Sequence, residues 1–193
     1  MQIEVRADGT AKISGYVNVT EKKSRPICTP RGQVVEEIEP RAFADALKRA
    51  GNVALTKDHL PVVLAETRAG TLQLKEDAIG LYAEAELTDA QTVEECRAGK
   101  VKGWSFGMRN VEDTLEERGE ELPLRKIRAL DLDHITLVVQ KTPCYAATSL
   151  EVRAEEAVQV EERALGAAPV LQVQQAARNA EYRERLKKLG KGE

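Results

Sequence analysis

Ser105 and the only two histidines of the chain, His59 and His134, are the residues whose types suggest catalytic chemistry. Ser105 lies in residues 103–107, Gly-Trp-Ser-Phe-Gly, between the two histidines in sequence. A serine hydroxyl becomes a good nucleophile when a neighbouring base takes its proton, and the base works best when a third group fixes its tautomer. The three residues could therefore form an acyl-transfer triad, with one histidine as the base and the other orienting it.

The same residues also have ordinary structural interpretations. Ser105 could be a turn hydroxyl between two core aromatics, and either histidine could be a hydrogen-bonded core or loop residue. Residues 103–107 also match the G-x-S-x-G elbow of α/β-hydrolases, but that motif needs a helix after the serine, and an acidic stretch follows here. Cys144, ten residues after His134, is a second candidate nucleophile, although the proline and tyrosine beside it favour a packed strand end.

Composition excludes several classes of protein. Lys and Arg number 29 against 32 Asp and Glu, a net charge of −3, so no excess of positive charge predicts nucleic-acid binding. No apolar stretch is long enough to span a membrane and no leader is evident, so we expect a soluble, unexported protein. The cysteines Cys28, Cys96 and Cys144 are odd in number and far apart, which predicts neither disulfides nor a zinc site, and no cofactor is expected.

Hydrophobic patterning up to about residue 150 predicts an α+β, mainly β fold. Alternating residues predict a strand over 12–19 and a hairpin that joins 70–75 to 81–87. Helical signals cover 42–50 and 88–97, the second with an Asp cap before it and a glycine stop after it. These elements would form the framework that holds the candidate triad.

The segments around the candidate residues also read as strands. The apolar run 53–56 ends at Lys-Asp-His-Leu-Pro, where the proline discourages further pairing, so His59 is predicted at a strand end. Runs at 101–111 and 124–139 would pair as an antiparallel ribbon that carries Ser105 and His134. The acidic stretch 112–121 between them is predicted as a solvated, mobile loop.

The composition changes after Ser149. Residues 151–193 are rich in Ala, Glu, Gln and Arg, and Gly-Ala-Ala-Pro at 166–169 interrupts two helix-prone stretches. The chain is therefore divided into a domain at 1–150 and a charged helical or flexible tail at 151–193.

Residues 12–150 resemble the prohead proteases of tailed phages of the HK97 type, a family related to the herpesvirus assemblins. The features that carry the resemblance occur in a particular order and spacing. They are Gly15-Tyr16, residues 37–43 (Glu-Ile-Glu-Pro-Arg-Ala-Phe), Asp58-His59, Gly80-Leu81, residues 103–107, and residues 142–145 (Thr-Pro-Cys-Tyr). Arg41 departs from the pattern, because the family usually has glycine there.

This resemblance implies both a fold and a function. The implied fold is a β-barrel-like core flanked by helices. The implied activity is that of a serine endopeptidase which cleaves capsid and scaffold proteins, and itself, in the host cytoplasm inside the assembling prohead. Its partners would be the major capsid protein and scaffold segments, together with copies of itself. The tail's own composition suggests that it is removed by cleavage near residues 165–168, where cleavage is sterically easy, or that it is an ordinary solvated helical extension. The alternative is a non-catalytic capsid scaffold with a protease-like fold.

The third member of the triad is the least determined by the resemblance. His134 stands where many phage members have glutamate, and it is similar to the second histidine of the herpesvirus Ser-His-His site. Asp131 and Asp133 are the reserve candidates, which would give a Ser-His-Asp triad. The nearest basic residues to this position, which could assist an oxyanion, are Arg125, Lys126 and Arg128.

Overall fold

The computed structural model describes residues 1–30, residues 32–145, and the backbone of residues 159–160. The elements within these residues are mostly strands, interrupted by two helices. In chain order they are β1 (Gln2–Val5), β2 (Ala11–Val19), β3 (Ile27–Thr29), β4 (Gly32–Ile38), α1 (Ala42–Arg49), β5 (Ala54–Lys57), β6 (Leu60–Glu66), β7 (Leu72–Glu76), β8 (Gly80–Leu87), α2 (Ala90–Arg97), β9 (Gly103–Arg118), β10 (Glu121–Val138) and β11 (Gln159–Val160).

The strands form two sheets. The smaller sheet is antiparallel throughout, in the order β1-β2-β8-β7. The larger sheet has the order β11-β3-β4-β10-β5-β6, and β9 pairs with β10 outside this path. The path ends at β11 and β6, which do not pair with each other, so the described residues contain no closed barrel.

The long strand β10 organises the larger sheet. β9 follows it antiparallel over almost its whole length. Along its other edge, β4 pairs with residues 124–127 and β5 with residues 134–137, both parallel to β10. Because α1 connects β4 to β5, it serves as the crossover that lets these two parallel strands follow one another along the same edge.

One hydrophobic core joins both sheets and fixes β9 in place. Trp104, Phe106 and Met108 are 0–1% exposed and alternate along one face of β9. Phe106 meets the ring of Phe43 from α1 edge-on at 5.1 Å and stacks on Tyr145 at 5.9 Å. Each fully buried ring of this kind stabilises the fold by about 1.5–3 kcal/mol, so this face of the strand is firmly anchored.

Both helices begin at a carboxylate. The Glu76 carboxylate at the end of β7 accepts hydrogen bonds from the backbone N–H groups of Arg41 and Ala44, at the start of α1. Asp89 caps α2 by accepting from the N–H of Thr92 at 2.8 Å. These contacts satisfy N–H groups that a helix leaves unpaired and place negative charge at its positive end.

The structure confirms most of the predicted framework. The fold is α+β and mainly β, with strands at 11–19, 72–76 and 80–87 and helices at 42–49 and 90–97. The barrel implied by the resemblance is wrong for the described residues, because two separate sheets share the core instead. Of the predicted helical tail at 151–193, only residues 159–160 are described, as strand β11, and the rest lies outside the described residues.

The prediction of a mobile acidic loop over 112–121 is wrong. β9 runs to Arg118 and β10 starts at Glu121, so nearly all of the stretch is strand. The repulsion expected among its carboxylates is offset by basic residues on β10, where Lys126 pairs with Glu116 at 2.9 Å and Arg128 with Glu112 at 3.0 Å.

Candidate active site

The structure brings Ser105, His59 and His134 to three adjacent parts of the larger sheet. Ser105 lies in the middle of β9, His134 lies on β10, and His59 lies in the turn between β5 and β6. At this level the strands are ordered β9-β10-β5, with Ser105 opposite Thr136 and Gly107 opposite His134. The predicted ribbon position of Ser105, and not a nucleophile elbow, is therefore confirmed.

Ser105 lies on the face of β9 opposite its core aromatics. Successive side chains of a strand point to opposite sides, so Ser105 and Gly107 share one face while Trp104 and Phe106 occupy the other. Ser105 is nevertheless only 4% exposed. The strand is thus held by its apolar face and presents a shielded hydroxyl on the face that carries the histidines.

His59 is held by an unusual backbone turn. Lys57 pairs with Leu60, so Asp58 and His59 form a two-residue hairpin turn, with φ values of 49° and 59°. Left-handed conformations at both central positions are those of a type I′ turn, which favours Asn or Asp followed by Gly. A histidine at the second position costs about 1 kcal/mol relative to glycine, which indicates that its side chain is needed there.

Hydrogen bonds attach this turn to the end of β10. The buried Asp58 carboxylate accepts from the N–H groups of Val139 at 2.9 Å and Gln140 at 3.1 Å. The N–H of His59 donates to Thr136 Oγ1 at 3.1 Å, and the N–H of Asp58 donates to the Leu137 carbonyl. His59 is therefore positioned relative to β10, the strand that carries His134.

The two imidazoles contact each other directly. Nδ1 of His59 lies 2.9 Å from Nε2 of His134, and the ring planes are inclined at 78° with their centroids 5.1 Å apart. Since Nδ1 of His59 makes this contact, Nε2 is the nitrogen through which His59 could take a proton from a serine. The pair has the geometry of a base and its orienting group.

Gly107 leaves the space that the His134 ring occupies. A Cβ atom added to Gly107 would lie 2.3 Å from Cε1 and 2.6 Å from Nδ1 of His134. The imidazole therefore lies directly over the backbone of β9 at Gly107. Gly107 follows Ser105 by two residues on the same face, about 7 Å along the strand, so the ring lies over β9 next to the Ser105 position.

The two reserve aspartates occupy different places. Asp133 Oδ2 lies 3.0 Å from Nδ1 of His134, on the side away from His59. Asp131 accepts instead from Asn110 at 2.7 Å and from Arg49 of α1, and it makes no contact with either histidine. The Asn110 hydrogen bond, followed by Arg49, lowers the pKa of Asp131. Neither aspartate touches His59, which contacts His134.

The basic residues suggested for an oxyanion role lie elsewhere. Arg125 pairs with Glu36 and Asp113, while Lys126 and Arg128 pair with acidic residues of β9. Even the nearest of them, Arg128, is six residues from His134 along β10, or about 20 Å. The suggestion that these three residues assist the oxyanion is therefore wrong.

Of the cysteines, the buried Cys96 is unsuited to nucleophilic chemistry. Burial raises the pKa of the Cys96 thiol in α2 to about 11, which makes thiolate formation unfavourable. The segment that holds Cys144 is attached to Arg25, whose N–H donates to the Cys144 carbonyl at 2.9 Å. In the described part of the chain, no three His, Cys, Asp or Glu side chains converge as a metal site would require, and neither helix there could cross a membrane.

Two supporting features were not predicted from the sequence as parts of the site, the Asp58 clamp and the space over Gly107, and Asp133, predicted only as an alternative to His134, contacts His134 instead. A signal for this contact exists in β10. Core residues alternate as Leu130 and Leu132, then resume one residue late as Ile135 and Leu137. Such a slip indicates a β-bulge at the intervening pair, Asp133 and His134.

Comparison with known families gives one finding. A family model described as caudovirus prohead serine protease matches residues 1–163, which include every residue of the candidate site. No curated protein and no solved structure matches the chain.

Proposed function

The chain belongs to the caudovirus prohead serine protease family and so is a serine peptidase of phage capsid maturation; from this premise we propose that Ser105, His59 and His134 are its catalytic triad. Ser105 is the nucleophile, His59 the general base and acid, and His134 the orienting residue. Its family membership does not favour the alternative of a non-catalytic scaffold.

The reaction proceeds through an acyl-enzyme. Nε2 of His59 takes the Ser105 proton as the hydroxyl oxygen attacks the peptide carbonyl, and the same proton passes to the leaving amine when the C–N bond breaks. Water then attacks the ester with His59 again as base, which releases the carboxylic acid and restores Ser105. His134 accepts the Nδ1–H of His59 throughout and stabilises the imidazolium.

One observation supports this assignment above the others, namely the 2.9 Å contact between the imidazoles over Gly107, beside Ser105. The contact between the imidazoles is not needed for folding, since it requires a histidine, His59, in a left-handed turn and a strand position without a side chain, Gly107. A local loss of conformational stability without a structural benefit is typical of functional sites.

Family membership indicates the class of substrate and the place of action. Capsid proteins are the implied substrates, and the assembling prohead within the host is the implied place of action. Within the proposal, the enzyme cleaves the major capsid protein and scaffold segments, and it removes its own residues beyond about 165. In Leu-Gly-Ala-Ala at 165–168 the small residues make cleavage sterically easy.

The triad is tested by co-expressing the chain with its capsid precursor and following cleavage by mass spectrometry. Ser105→Ala and His59→Ala should abolish processing, and His134→Ala should slow it by about 10²-fold or more. Ser14→Ala, which removes another buried strand hydroxyl, serves as the matched control and should process normally. Full processing by folded Ser105→Ala protein would contradict the proposal.

A further inference from the structure

Asp133 and His134 are neighbours in sequence, yet their side chains meet on one side of the sheet. In a regular strand such neighbours point to opposite faces. Here Leu132 pairs with Met108 and His134 pairs with Gly107, so two steps along β10 match one step along β9. Asp133 is the extra residue of a β-bulge, a feature that redirects a side chain.

The bulge places the Asp133 carboxylate between two partners. Oδ2 lies 3.0 Å from Nδ1 of His134, and Oδ1 lies 2.6 Å from the Arg109 guanidinium of β9. The side chain of Asp133 is 20% exposed and that of Arg109 is 54% exposed. Each carboxylate oxygen therefore has its own partner, and Arg109 fixes which oxygen faces the histidine.

These contacts determine where the protons of both histidines lie. An ionised carboxylate can only accept hydrogen bonds, so Nδ1 of His134 carries the proton. In the neutral ring Nε2 is then an acceptor, and it receives the Nδ1–H of His59. Nε2 of His59 consequently carries the lone pair that a general base needs. One carboxylate thus sets two tautomers.

We propose that Asp133 is a positioning residue of the catalytic site, acting through His134, and that Arg109 holds it in the required orientation. This inference rests on the proposed triad and adds two residues to it, Asp133 in contact with His134 and Arg109 in contact with Asp133. The charged or titratable groups that contact His134 are Asp133 from its own strand and His59 from the neighbouring turn, while β9 presents the backbone of Gly107 to the ring and Arg109 to Asp133.

The first test uses Asp133→Asn with Asp131→Asn as its matched control. Arg109 can only donate hydrogen bonds, so it binds the oxygen of the introduced amide and leaves the amide NH2 group facing His134. Because that group donates, Nδ1 of His134 must become an acceptor, and the tautomers of both histidines are reversed. We expect kcat to fall about 10²-fold with KM nearly unchanged. Asp131 lies two residues away on the same strand and contacts neither histidine, so its variant should keep full activity.

Adding Arg109→Met distinguishes this role from a merely structural one. Without the guanidinium, the introduced amide can rotate and offer its oxygen to His134, so Asp133→Asn/Arg109→Met should be more active than Asp133→Asn alone. A structural role would make the double variant at least as impaired as either single variant. Activity of Asp133→Asn equal to that of Asp131→Asn would overturn the inference and leave the triad intact.

The second test does not depend on activity or on any change at Asp133. Because the chain has only two histidines, ¹⁵N NMR of the Ser105→Ala protein resolves each imidazole. Both rings should be protonated at Nδ1 and bare at Nε2 when neutral. Protonation of neutral His134 at Nε2 would refute the role of Asp133, whereas retained cleavage by Ser105→Ala would refute the proposed function instead.

Discussion

The two ends of the β9–β10 ribbon are built in opposite ways. At the end that carries Ser105 and His134, the strands are buried, a bulge interrupts the pairing, and a neighbouring turn adopts left-handed conformations. At the other end, exposed acidic residues of β9 pair across the ribbon with Lys126 and Arg128 of β10. The pairing is irregular along the whole ribbon, but the first end is buried and holds the reactive groups, whereas the second is exposed and stabilised by charge pairs.

A buried charge cluster lies at the same level of the ribbon as these exposed pairs. Glu36 of β4 is 0% exposed and accepts from Tyr145 Oη at 2.9 Å and from Arg125, which also pairs with Asp113. Because Tyr145 also stacks on Phe106, this cluster connects the ribbon to the core beside Ser105. The comparison predicts that changes at the site end alter catalysis and changes at the cluster alter stability.

His59→Gly should have the largest effect on catalysis and little effect on folding. Loss of the base should lower kcat/KM by about 10³-fold or more. Glycine adopts the φ of 59° without strain, so the variant should be more stable than His59→Ala by about 1 kcal/mol. Cleavage assays and thermal melts of both variants measure this, and a less stable His59→Gly would mean that the turn is not strained.

Gly107→Ala should impair catalysis while binding persists. The added methyl would lie 2.3 Å from His134 Cε1, so the imidazole must leave the position in which it contacts His59. A misplacement of about 1 Å costs roughly 10²-fold in kcat, with KM nearly constant. Gly51→Ala is the matched control, because nothing lies within 4 Å of its added Cβ. Equal kcat in the two variants would mean that catalysis does not depend on the space that Gly107 leaves for the His134 ring.

Arg125→Met should leave catalysis per folded molecule unchanged and lower the free energy of unfolding by about 3–5 kcal/mol, since it removes the cationic partner of two carboxylates that are largely buried. Arg128→Met removes an exposed pair, with side chains 61–63% exposed, and should cost less than about 1 kcal/mol. Urea unfolding of both variants makes the comparison. Equal losses would contradict the contrast between the buried cluster and the exposed pair, and a slower folded enzyme with Arg125→Met would argue against the division between the two ends.

The sequence predicts local features of this molecule better than those that depend on pairing. Residues 12–19, 42–50 and 88–97 carry their own alternation or caps, and their elements are confirmed. The loop prediction for the acidic stretch after Val111 is wrong because the counter-charges, Lys126 and Arg128, lie on the following strand, and nothing within the stretch reveals them.

The candidate site shows the same limit. Residue types indicate Ser105 and His59, and the strand end at residue 57 is visible in the sequence. The contact of Asp133 with His134 depends on a bulge, and the need for Gly107 depends on the register of β9 against β10. Both follow from how strands pair, which alternation within a single strand does not specify.

Reaction of Ser105 with diisopropyl fluorophosphate is the most direct test of the central claim, because only an activated serine is phosphorylated rapidly. Intact-mass and peptide analysis of the folded chain should show one modification, at Ser105, which disappears in Ser105→Ala and in His59→Ala and persists in Ser14→Ala. A folded chain that remains unmodified, or one in which His59→Ala reacts as fast as the parent, would contradict the assignment of Ser105 and His59.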